Sequence, residues 1–160
     1  MIVRLCKAAL VATTALFFAL VAFGNMTDYD ANWAFVRHVL AMDSIFPNST
    51  LTWRAITNPQ IAAAAYWGII GWQAVTAVVL GVATARLLGA SRDPGRFARS
   101  KPVACLGLTF GLLLYGLGFT VIGGEWFAMW QSQSWNGLNS ATRFILLDGL
   151  VLLVLLTPEA

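Results

Sequence analysis

The residues with the strongest potential for chemistry are few and scattered. His38 is the only histidine; Met42 follows one helical turn later, Asp43 is next to it, and Met129 lies far along the chain. Imidazole and thioether sulfur together can ligate copper or haem iron, but one histidine leaves most of a coordination sphere without donors. No metal site is expected. Glu125 and His38 could form an acid/base pair, yet no nucleophile or set of oxyanion donors accompanies them, so no catalytic constellation is legible. Cys6 and Cys105 have no ligand spacing and are expected to be free thiols that pack as small apolar groups. The chain has no glycine fingerprint for a nucleotide, and no cofactor is expected.

One further group is unusual because of its surroundings. Asp148 stands in the apolar run 141–156, and an acid in lipid is costly unless it is neutral or paired, so it should face the interior of a helix bundle. Gln73 and Arg143 are the available partners. Arg143 precedes Asp148 by five residues, which places the two on different helix faces. An interhelical hydrogen bond between Gln73 and Asp148 is therefore the expectation, with structural glue as its simplest role.

The elements that carry these residues follow from composition. Of 160 residues, 59% are hydrophobic and only 11% are charged, whereas a soluble domain carries roughly 25% charged residues. Such a chain cannot cover a water-facing surface. A spanning helix needs about 20 apolar residues to cross a hydrocarbon core of about 30 Å. Four stretches qualify, at residues 5–24, 62–87, 102–122 and 141–156, leaving segments 25–61 and 123–140 on one side. The expected fold is all-α: a single domain over residues 1–160 built as a four-helix transmembrane bundle, with a short interfacial helix and an aromatic outer loop cap.

Charge sets the expected orientation. Arg4, Lys7, Arg86, Arg92, Arg96, Arg99 and Lys101 gather on one side, against only Arg37, Arg54 and Arg143 on the other. Basic loops stay in the cytoplasm, so both termini are expected there. The basic residues thus read as orientation signals rather than as a nucleic-acid surface. A cleaved signal peptide is the competing reading of the first stretch, because Arg4 and Lys7 precede an apolar run that ends at Ala22-Phe23-Gly24. The connection 89–101 reads as an ordinary solvated loop, with Pro and Gly as turn formers. Gly107 and Gly111, four residues apart, should let the third helix approach a neighbour closely.

The outer segments hold the unusual composition. Trp33, Phe35, Val36, Val39 and Leu40 alternate with Asn32, Arg37 and His38 in a helical pattern that Thr27 or Asp28 could cap and that must end before Pro47. All seven tryptophans fall on this side or within a few turns of it, although Trp ordinarily marks both membrane interfaces. A packed aromatic cap is expected, with an interfacial belt as its plainest interpretation. Candidate ligand- or partner-binding residues are Arg37, His38, Trp53, Arg54, Glu125, Trp126, Trp130, Gln131 and Trp135, and the intramembrane polar pair is Gln73 and Asp148.

These outer motifs also carry a resemblance. The runs NMTDY (25–29), FVRHVLAMD (35–43), Phe46-Pro47, WRAI (53–56), GGEWFAMWQS (123–132) and Trp135-Asn136-Gly137 resemble a bacterial family of predicted small integral membrane proteins, domain of unknown function 2165. The resemblance covers nearly the whole chain. It implies four spans and a place in the bacterial inner membrane, and it supplies no activity or catalytic residues. The first functional expectation is a non-enzymatic accessory or assembly partner of a larger membrane complex. The alternative is a binding module for a quinone or lipid at the periplasmic interface, and an oxidoreductase component ranks last.

Overall fold

Lipid offers no hydrogen bonds to a peptide backbone, so each apolar run must satisfy its own amides and becomes a helix. The computed structural model describes residues 1–159. Five helices appear: α1 (Ile2–Thr27), α2 (Tyr29–Ala41), α3 (Pro59–Gly89), α4 (Pro94–Leu112) and α5 (Leu138–Leu156). No strand occurs among the described residues. Beyond Leu112 the α4 helix continues, wound more widely as a π-helix over Leu113–Trp126. Thr120 Oγ1 donating to the Tyr115 carbonyl, and Phe127 N donating to that of Ile122, both follow the five-residue spacing of that winding.

Four helices are long and apolar enough to cross a membrane: α1, α3, the α4–π helix over Pro94–Trp126, and α5. They include all four expected spans and extend them, mostly by several residues at each end. The largest difference is at the basic end, where a loop was expected over 89–101. The helices are instead joined by a tight turn over 90–93. Asp93 starts α4 by accepting a hydrogen bond from Arg96 N at 3.0 Å, and Pro94 occupies the first helical position. A side-chain cap followed by proline starts a helix strongly enough to carry it through 95–101 and past Pro102.

The spans pack in a closed circuit: α1 on α3, α3 on α4, α4 on α5, and α5 back on α1. Val11, Phe18, Leu80, Leu108 and Leu155 fill the centre. Gly107 meets Leu80 of α3, while Gly111 faces Asp148 of α5 and the Phe18 ring of α1. Asp148 is 1% exposed and faces the interior as expected. The expected bond to Gln73 is not made, and neither carboxylate oxygen has a partner among the described residues. Gln73 is engaged elsewhere.

The chain end after α5 is tied to the basic end of the bundle. Lys7 Nζ and Lys101 Nζ both reach Glu159 Oε1, at 2.8 and 2.5 Å, and both donate to the Thr157 carbonyl. Burial alone would raise the Glu159 pKa, but hydrogen bonds and charge from Lys101 and Lys7 outweigh it and hold the carboxyl below its ordinary value. A depressed folded-state pKa stabilises the protein above the ordinary value, and that contribution is lost as pH falls through the folded one. Comparing Tm across acid pH should therefore show a falling component in the native protein that is missing in Glu159→Gln. Packing makes a second prediction. Gly111→Ala should lower stability by about 1–3 kcal/mol through overpacking, whereas Gly149→Ala, with nothing within 4 Å, should leave the thermal midpoint unchanged or higher.

Candidate functional site

The end of the bundle opposite the turn at 90–93 holds the only continuous side-chain amide chain among the described residues. Asn25 lies in the last turns of α1, Asn32 in α2 and Gln73 midway along α3. Asn32 Nδ2 donates to Asn25 Oδ1 at 2.8 Å, and Asn25 Nδ2 donates to Gln73 Oε1 at 2.8 Å. Three helices are thus linked through two bonds. An amide carries both a donor and an acceptor, so the chain ends in one free donor and one free acceptor whichever way it runs.

Those ends open into a cavity of about 530 Å³ between α1, α2, α3, the π-helical segment and the start of α5. Its wall combines the rings of Phe35, Tyr66, Tyr115, Phe119, Trp135 and Phe144 with amide and hydroxyl side chains, and it contains no Asp, Glu, Lys or Arg. Tyr66 is 1% exposed, and its hydroxyl has no partner among the described residues. Tyr115 and Phe119, four residues apart in the π-helical segment, pack against each other with ring centroids 5.4 Å apart. An adjoining groove of about 260 Å³ is almost wholly apolar and includes Val39, Leu40, Leu114 and Ile122. Phe35, stacked on Phe119 at 6.2 Å, lines both spaces, as does Phe119.

The roof of the cavity comes from the second outer segment. Trp135 lies flat on the His38 ring at 4.5 Å, and His38 Nδ1 contacts Asp43 Oδ2 at 2.7 Å. Asp43 thereby fixes the imidazole that supports the indole. Arg37 approaches His38 Nε2 at 3.5 Å from the same helix.

The nine candidate residues do not form one pocket. Trp135 alone lines the cavity, with His38 and Arg37 behind it. Arg54 forms a separate cluster, its guanidinium 5.2 Å from the Trp53 ring and 4.7 Å from the Trp126 ring, with Nη1 donating to the Trp126 carbonyl. Trp130 packs edge-on against Phe46, whose backbone N–H donates to Gln131 Oε1 at 3.2 Å. Glu125 is exposed. Gln73 lines the cavity, whereas Asp148 is buried apart from it beside Gly111. Sequence reading did not select Asn25, Tyr66 or Phe119 as site residues, nor Asn32 and Phe35, which entered it through the helical pattern and, for Phe35, the run 35–43. The spacing of Asn25 and Asn32 gave no signal, because they lie on two helices separated by the break at Asp28. No group of three or more His, Cys, Asp or Glu suited to a metal occurs among the described residues.

Four apolar spans and a folded cap at one end define a multi-pass integral membrane protein. Residues 3–158 match the family of predicted small integral membrane proteins known as DUF2165, and the chain belongs to that family. No curated protein and no solved structure matches it.

The amide chain is directly testable. Asn25→Leu should leave the buried Gln73 without its partner, costing about 1–3 kcal/mol, while the exposed Asn32 amide turns to water. Tm should fall, and an aqueous quencher should reach more of the tryptophan emission as α2 loosens.

Proposed function

We propose that this protein is a non-catalytic binding module of the bacterial inner membrane. In this reading both termini are cytoplasmic, and the tryptophan-rich end opens at the periplasmic face. Its cavity takes a neutral amphipathic ligand bearing carbonyl oxygens, of the quinone class. The observation that carries the reading is an uncharged cavity whose lining combines six aromatic residues with the amides of Asn25, Asn32 and Gln73. Aromatic walls suit a flat ring, and a volume of about 530 Å³ falls within the usual range of ligand pockets, about 300–1,000 Å³. The apolar groove beyond Phe35 and Phe119 offers a hydrocarbon tail a place to lie. A neutral lipid headgroup with ester carbonyls meets the same requirements less closely, because it offers no ring to the aromatic walls.

An accessory role rests on a different observation. Trp53 is 70% exposed beside Arg54 and Trp126, outside the cavity, and this is the part of the cap that a partner membrane protein could engage.

The test is titration of the purified protein in nanodiscs with a short-chain benzoquinone. Saturable quenching of tryptophan emission is expected, with most of the effect absent in Trp135→Phe. Gln73→Leu should weaken binding about tenfold, the equivalent of about 1.4 kcal/mol. Non-saturable quenching in the native protein, or a Gln73→Leu variant that binds equally well, contradicts the reading.

A further inference from the structure

The opposite end of the molecule carries its own concave site. Arg86 lies in the last turn of α3, and Arg96 and Arg99 lie in the first turns of α4. The turn at 90–93 folds the helices so that all three arginines line one cleft of about 440 Å³, floored by Ala85, Gly89 and Ala90. Their charge is not neutralised by ion pairs. Among the described residues the ion pairs are Lys7 and Lys101 with Glu159, and His38 with Asp43. Asp93 is nearby, but it is committed to capping α4 through Arg96 N. That bond, assisted by the charges of Arg99 and Arg96, holds the Asp93 carboxyl below its ordinary value. One carboxylate therefore faces several guanidinium groups.

Depth and surroundings indicate what the cleft takes. The α3 helix has 31 residues and the α4–π helix has 33, so each is about 45–50 Å long against a hydrocarbon core of about 30 Å. Their basic ends must project into the headgroup layer. Val82 and Val78 precede Arg86 by one and two turns and are both exposed, and Leu106 is exposed two turns beyond Arg99. A group bound at the arginines would therefore have apolar surface running from it toward the membrane centre. Guanidinium forks match phosphate oxygens in charge and in bidentate geometry.

We propose that this cleft binds the phosphate of an anionic phospholipid, with Arg86, Arg96 and Arg99 around the headgroup and the acyl chains along the valine face of α3. The site is separate from the aromatic cavity. Free inorganic phosphate shares the recognised chemistry but would make no use of the apolar track.

Native mass spectrometry of the full chain, released from phosphatidylcholine nanodiscs doped with phosphatidylglycerol, provides the test. The native protein should retain phosphatidylglycerol selectively, and excess inorganic phosphate should not displace it. The double variant Arg86→Gln/Arg99→Gln should lose about tenfold of that retention, while Arg92→Gln, an exposed arginine outside the cleft, should retain it. If the glutamine variant fails to insert, Arg86→Lys/Arg99→Lys keeps the orienting charge without the fork and should lose about threefold. Three results would overturn the proposal: undiminished retention in the double variant that inserts, an equal loss in Arg92→Gln, or displacement by inorganic phosphate.

Discussion

Two side-chain hydrogen bonds, from Asn32 to Asn25 and from Asn25 to Gln73, decide how the capped end of this protein is built. Helix α2 has few buried residues of its own and follows α1 after a single break at Asp28. Apolar contact of Val36 with Tyr66 and Ile70, and of the Tyr29 and Trp33 rings with Tyr66, holds it to the bundle. The amide chain adds direction to that contact. It acts together with the ring contacts of α2, in the arrangement that has Phe35 lining the cavity and His38 stacked under Trp135. Buried polar groups specify geometry more sharply than oily surfaces do, because leaving one unpaired is costly.

The two ends of the bundle solve different problems with different chemistry. At the basic end, Lys7 and Lys101 converge on Glu159, so the segment after α5 is fastened by largely buried ion pairs. At the capped end the cavity contains no charged side chain, and order comes from amides and stacked rings. Between them, Gly107 and Gly111 let α4 sit close to α3 and α5, in keeping with the use of small residues where lipid supplies no hydrophobic drive between helices. Asp148 lies at that close approach, against Gly111 and the Phe18 ring.

How far the sequence revealed this arrangement depended on the kind of signal. The spans were legible because hydropathy over about 20 residues reports directly on solvation by lipid. The inward orientation of Asp148 was legible for the same reason. Its partner was not, because pairing depends on the rotation and vertical offset of one helix against another, which hydropathy does not encode; Gln73 found Asn25 instead. The π-helical winding over Leu113–Trp126 escaped notice because its residues are as apolar as those of an α-helix. Gathering the tryptophans at one end correctly identified the cap, yet it gave no hint that Trp135, Trp126 and Trp130 would enter three separate clusters. At the other end, Pro and Gly in 89–101 suggested a loop. The Asp93-Pro94 pair carried the stronger local signal, and starting α4 there is what turns scattered arginines into a cleft.

The amide chain is the claim on which the link between α1, α2 and α3 beside the cavity rests. It is tested most directly by solid-state NMR of the protein in lipid with the Asn and Gln side-chain amides labelled with nitrogen-15. Through-space correlations from Asn25 to both Asn32 and Gln73, with the Asn25 amide protons slow to exchange with water, are the expected result. Three uncorrelated amide signals that exchange freely with water would contradict the account.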